Sequence, residues 1–353
     1  MNERRTIARR STPRALVVVL AACGAAVAHD TVYLSAGSAE RGSTKLVGEV
    51  IDYTGRELRL RTPGGAEQTY PGERVRRIEY PTTPQQAEAD ARFARHEFAA
   101  AVSLYEQARR DDARPWVRRE ITAQIVWCDR ALGRVERAGE EFLLLMRSDP
   151  STPYFDGIPL AWIASEPSPE LEQAARRWLG QDDVPAAGLL GASHLLTTAA
   201  RGQVLDRLRR LATDPDRRIA LLATAQTWRT EIVTANPRQL ESWAAAIDAM
   251  PAPLRAGPYY VLGLGYDRQQ AWNEAALAWM RIPILDPRHR ALAARALVDA
   301  GGAMEKLGRR EAATRLYDEA GRRFPETAPA AEARNRLEAG MNPSSSGDRL
   351  ASD

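Results

Sequence analysis

The stretch from Tyr259 to Pro287 constrains this chain more than any other, because its apolar and small residues fall at two successive helical spacings. Tyr259, Leu262, Gly263 and Tyr266 recur every three or four residues and so share one face of a helix. Trp272, Ala275, Trp279 and Ile282 repeat the pattern on a second helix, and Pro287 follows Asp286 where that helix must stop. Small Gly263 and Ala275 let two helix backbones approach, and the large aromatics fill the space beside them. Such a hairpin cannot bury its apolar side alone, so the pattern predicts similar hairpins stacked against it.

Weaker copies flank it. Phe98, Ala101, Tyr105 and Ala108 match the second-helix positions, as do Gly133, Ala138, Phe142, Leu145 and Pro150. Ala138 follows Ala101 by 37 residues. Downstream, Gly301, Gly308, Ala313, Tyr317, Ala320 and Pro325 repeat the unit, with Ala313 lying 38 residues after Ala275, and Arg323 to Leu337 continues as another helix. This spacing resembles the tetratricopeptide repeat (TPR), whose unit of about 34 residues places an aromatic, Leu-Gly and Tyr on its first helix and Ala, an aromatic, a small residue and Pro on its second. Ile282 departs from that pattern, standing where the small residue is usual. The Arg323–Leu337 stretch is similar to the repeat style of envelope-associated TPR proteins.

The resemblance implies a mainly α fold, an α-solenoid of helical hairpins, whose ligands touch the first helix of each repeat on the inner face. Carried onto this chain by spacing, those positions are Trp127 and Arg130 in the second repeat and Tyr260, Asp267 and Arg268 in the best-preserved one. Arginine and aromatic residues are the types that dominate interface energy. Each of them could equally serve packing between repeats.

The start of the chain reads as an export signal. Arg4, Arg5, Arg9, Arg10 and Arg14 precede an apolar run from Ala15 to Ala28, and Ala26-Val27-Ala28 is a small-x-small cleavage site ending at Ala28. The run is too short to span a bilayer as a stable helix. An alternative uses Leu20-Ala21-Ala22-Cys23, which resembles the lipobox of bacterial lipoproteins and would leave Cys23 lipidated, the one route by which the sequence predicts membrane attachment. The chain is thus expected to be exported, periplasmic or extracellular, or else anchored in the envelope through Cys23. Residues 1–28 carry a net +4, so the formal +3 of the whole chain becomes −1 once they are removed (+3 less +4). The high isoelectric point therefore belongs to the leader, and nucleic acid is not an expected partner. Cys128 is the only other cysteine, so no internal disulfide is expected; next to Trp127 in a helical pattern, it reads as a small buried hydrophobe.

Residues 29–80 differ in character. Thr31–Leu34, Leu46–Tyr53, Glu57–Thr62 and Arg76–Tyr80 are short β-prone runs separated by Gly42, Thr54-Gly55 and Pro63-Gly64-Gly65, with a helical turn expected between Pro71 and Val75. Leu58 and Leu60 alternate with Arg59 and Arg61, the period of a strand with one wet face. Pattern and size are similar to those of a small SH3-like antiparallel β-barrel. Eight basic residues face eight acidic ones in 29–80, which leaves no field to attract phosphates. Tyr33, Tyr53, Tyr70 and Tyr80 could stack on a cell-wall polymer or simply pack across strands.

From Pro84 onward the pattern is helical: TPR-like repeats over 84–150, a Pro-rich loop over 151–169, degenerate hairpins over 170–255, TPR repeats over 256–339 and a Ser-rich disordered tail over 340–353. In the degenerate part, Val204, Leu205, Leu208 and Leu211 form one apolar stripe, and Ile219, Leu222 and Ala225 begin another. The Pro-rich loop is long enough to be either a binding surface or a crossover packed by Tyr154, Phe155, Leu160 and Trp162.

No catalytic constellation stands out. His29, His96, His194 and His289 lie far apart, no phosphate-cradling glycine loop follows a strand, and Gly-x-Ser-x-Gly is absent. Neither a cofactor nor a metal is expected. The sequence therefore points to an exported, non-enzymatic scaffold that binds a protein or peptide partner through its solenoid. The alternative is an adaptor that binds cell-wall polymer through the β region, and an enzyme without a recognisable motif comes third.

Overall fold

A computed structural model describes residues 29–35 and 43–341. The expected leader, with Cys23 and Ala28, lies outside the described residues, as does the tail beyond 341. Five antiparallel strands come first: β1 (Asp30–Ser35), β2 (Ser43–Tyr53), β3 (Glu57–Arg61), β4 (Glu67–Pro71) and β5 (Val75–Glu79), in the order β4-β3-β2-β1-β5. A 3₁₀ turn at Gly72–Arg74 joins the two edge strands where a helical turn was expected. β2 pairs with β1 through its first half and with β3 through its second, with an irregularity in register between Val50 and Asp52. Alternation puts Leu58 and Leu60 inside and Arg59 and Arg61 outside, the latter two sharing Glu67.

Helices make up the rest: α1 (Pro84–Ala94), α2 (Phe98–Asp111), α3 (Pro115–Ala131), α4 (Val135–Ser148), α5 (Pro169–Leu179), α6 (Pro185–Leu195), α7 (Arg201–Leu211), α8 (Arg217–Glu231), α9 (Pro237–Asp248), α10 (Ala256–Arg268), α11 (Trp272–Met280), α12 (Ile282–Leu285), α13 (Arg290–Lys306), α14 (Arg310–Arg323) and α15 (Ala328–Met341). Their starts are written locally. Thr83, Ser168 and Asn236 each accept a backbone N–H from three residues on, and each is followed by a proline at the first helical position. The hairpins α1/α2, α3/α4, α10/α11 and α13/α14 pack as the spacing predicts, with Ala101, Tyr105, Ala138, Phe142, Ala275, Trp279, Ala313 and Tyr317 all buried. A methyl on Gly263 would overlap the Trp279 indole, which places this glycine where the two helices approach most closely.

One detail departs from the expectation. The second helix of the best-preserved repeat does not run unbroken to Asp286: α11 ends at Met280 and α12 restarts at Ile282. Pro283 is the reason, since it has no N–H for the i−4 bond and its ring crowds the preceding turn. Ile282 stays fully buried at the break.

The sheet is not a free-standing unit. Val32, Leu34, Val50, Leu58 and Leu60 share one core with Ala89, Phe98, Trp116, Ile121 and Cys128 of the first three helices. Trp116 Nε1 donates to the Val50 carbonyl at 3.1 Å, and Arg119 donates to the Tyr53 carbonyl at 2.8 Å while pairing with Asp52. Cys128 is fully buried, and burial pushes its thiol up to about 12. Tyr53, Tyr70 and Tyr80 are half-buried and pack on this core, and Tyr33 lies beneath the Arg77 guanidinium at 4.5 Å. Among the described residues no helix is long and apolar enough to cross a membrane.

Candidate functional site

α6, α8, α10 and α13 touch in succession and form one layer of the array. Across it runs the Pro-rich stretch between α4 and α5, which the layer holds by its main chain. Arg218 of α8 donates to the carbonyls of Pro150 (2.8 Å), Ser151 (3.1 Å) and Thr152 (2.8 Å). Arg130 of α3 donates to Gly157 O at 3.0 Å and Asp156 O at 3.3 Å, while His194 of α6 contacts Pro159 O at 2.9 Å. Gln226 reaches Ala161 O at 3.1 Å, and Ser193 Oγ accepts the Ala161 N–H at 3.2 Å. Four prolines between 150 and 167 remove N–H donors, and the surrounding side chains satisfy the carbonyls that no helix or strand can pair.

Side chains of this internal segment are core. Phe155, Ile158, Leu160 and Trp162 are buried, and a methyl on Gly257 of α10 would overlap the Trp162 indole. The crossover alternative therefore describes 150–162, whereas residues 165–168 line an open recess described below.

This arrangement corrects the expected groove. Trp127 is 3% exposed, stacked between the guanidinium groups of Arg130 and Arg288, each 4.3 Å from its ring. Arg130 is spent on the segment's carbonyls, and burial draws its pKa down to about 10 against the pull of Asp286 and Asp156. Tyr260, expected at the surface, is also 3% exposed; its hydroxyl donates to Asp299 at 2.9 Å and its carbonyl accepts from Trp279 at 3.2 Å. The physical reason is common to all three: the inner face is filled by the chain's own segment or by the next repeat. Asp267 is half-buried and pairs with Lys306 at 2.6 Å, and Arg268 is exposed. Asp267 and Arg268 end α10, whereas Trp127 and Arg130 belong to α3.

Around Trp127 the two ends of the array meet. Arg288 pairs with Asp156 of the internal segment, His289 meets the Trp127 ring edge-on at 5.8 Å, and Arg290 lies 3.2 Å from His96 Nε2. His289 Nδ1 sits 3.1 Å from Asp286 Oδ2 but off the line of a hydrogen bond, so that nitrogen and Asp286 Oδ1 have no hydrogen-bond partner among the described residues. Burial, then the Arg130 charge, holds the His289 imidazole down to about 4, so it is neutral here at physiological pH.

A recess of about 400 Å³ opens where the internal segment leaves the layer. It lies among the first turns of α4 and α5, His194 of α6 and Arg229 of α8. Nothing in the spacing singled out Arg229, because an arginine inside a helical stripe looks like any solvated cation until the neighbouring helices are placed. His194 was visible as one of four scattered histidines; burial draws it down to about 4. No protein-family model matches the chain, and a search of curated proteins finds none that matches.

Proposed function

We propose that this chain is an exported, non-enzymatic scaffold that holds a protein or peptide partner in the cell envelope through a solenoid of TPR-like hairpins. One observation carries the proposal: helices of the array hold residues 150–161, an irregular stretch with one 3₁₀ turn at Phe155–Gly157, largely by main-chain carbonyls, through Arg130 of α3, Arg218 and Gln226 of α8 and His194 of α6. Side chains that satisfy main-chain carbonyls are indifferent to sequence, and the same chemistry suits an irregular segment of a partner. Here that capacity is used internally, so an external partner meets the outer end of the layer, where Asp267 and Arg268 lie, and the neighbouring helix surface. Export is argued from the Arg-rich start and Ala26-Val27-Ala28, with Cys23 lipidation as the alternative. Detergent-phase partitioning separates the two.

The test is crosslinking in the native envelope with partner identification, comparing wild type with Arg268→Glu. A discrete partner that is recovered with wild type and depleted at least several-fold with the variant supports the proposal. Recovery of no discrete partner, or an identical set with both proteins, counts against it.

A further inference from the structure

The recess beside Arg229 is built differently from the rest of the surface. Arg229 Nη1 donates to Ser193 O at 2.8 Å and to Gln226 Oε1 at 2.7 Å. Gln226 is itself fully buried and donates to Ala161 O, so the guanidinium is locked in place by the internal segment. Its Nε and Nη2 edge, the edge that fits a two-oxygen acceptor, has no partner among the described residues. No carboxylate among the described residues acts on it: burial alone draws its pKa to about 10, which leaves it cationic at neutral pH. Arg229 is only half-buried and lines the recess, and a partly desolvated cation without a counter-charge gains from an anion that supplies one.

The neighbouring groups agree in sign. The first turns of α4 and α5 line the same recess, and helix N-termini present the positive end of the backbone dipole; α4 has no side-chain cap. With Nε2 turned to Pro159 O, His194 keeps Nδ1 for a ligand's N–H or O–H. Two carboxylates line the recess and oppose an anion, but Glu136 faces Arg177 at 3.4 Å and Glu166 is exposed at the rim. Arg134 and Arg137 lean away to the buried Asp129. Val135, Pro167 and Leu171 supply an apolar wall.

We infer that this recess binds a small ligand carrying an oxyanion, a carboxylate or a phosphate, on an apolar body, and that Arg229 takes the oxyanion through its free edge. The volume suits such a ligand, since small-molecule sites start at about 300 Å³. The site does not depend on partner binding by the rest of the array.

The test is calorimetric titration of the chain from His29 to Asp353 with benzoate, phenyl phosphate and the uncharged benzamide. Saturable binding of benzoate or phenyl phosphate in the millimolar range or tighter is expected, without binding of benzamide; the tighter of the two anions identifies the preferred group. Arg229→Gln should weaken binding at least tenfold, and Arg229→Lys, which keeps the charge but loses the two-pronged edge, should fall between. Leu171→Trp, which fills the recess without touching Arg229, should abolish binding, and it stands in for Arg229→Gln if that variant does not fold. Absence of saturation with both anions, equal binding of benzamide, or unchanged affinity in a folded Arg229 or Leu171 variant overturns the inference. Partner crosslinking with Arg229→Gln, read separately, tells failure of this site from failure of the scaffold proposal.

Discussion

Four hairpin turns in the array each contain one residue in the left-handed backbone region, and only two of them use glycine. Gly133 and Gly308 sit at φ 71°, while the equivalent positions hold His96 at 61° and Gln270 at 62°. A side chain there costs about 1 kcal/mol or more that glycine avoids. Gln270→Gly is therefore expected to raise stability by ~1 kcal/mol and Gly308→Ala to lower it by a similar amount, both read by chemical denaturation. His96 is a poorer site for the same change because its ring approaches Arg290. Gly257 is constrained by space instead of backbone conformation, as a methyl would enter the Trp162 ring. Gly257→Ala should cost ~2–3 kcal/mol, seen as a loss of thermal stability with unchanged far-UV dichroism at low temperature.

Between the sheet and the first helices, a polar seam makes stability depend on pH. Tyr80 donates to Glu120 at 3.1 Å and accepts from Gln86 at 2.6 Å, and burial raises the Glu120 carboxyl to about 7. The folded state thus holds a proton that the unfolded chain releases above about 4.5, and this group's contribution to stability falls as pH rises from about 4.5 to about 7. Glu120→Gln keeps an acceptor for Tyr80 without the charge. Its stability relative to wild type should increase across that window, by up to ~3 kcal/mol, in denaturation curves collected at several pH values. A difference that does not change with pH would contradict this account. The seam was not legible in the sequence: alternation predicted strands and periodicity predicted helices, but neither says which wet-looking residues of one will face the other.

Across the whole molecule, the internal segment changes what kind of array this is. An open solenoid is stabilised by contacts between neighbouring repeats and can unfold from its ends. Here 150–162 touches α3, α6, α8, α10 and Arg288 just before α13, and Trp127 ties the first repeats to residues 288–289. Unfolding is therefore expected to be one cooperative transition, with tryptophan fluorescence and far-UV dichroism coinciding. Trp162→Ala should lower stability by ~3–5 kcal/mol, and a chain ending before Ala256, which uncovers that indole, should be degraded rapidly by protease.

The sequence by itself determined the element types, the hairpin register and the buried small and aromatic positions of the helical hairpins, because these follow from local periodicity, capping and turn chemistry. Around Tyr259–Pro287 it was accurate except at Pro283, whose break in the helix was written locally but outweighed by the stronger spacing signal. Only the tertiary structure decided which inner-face residues were already occupied. Trp127, Arg130 and Tyr260 have the composition of a binding groove, and nothing within a few residues of them reports that a segment about 30 residues away, or the next repeat, fills the space they face. The same holds for Arg229: its charge is plain in the sequence, but its missing counter-charge exists only once four separate elements have met.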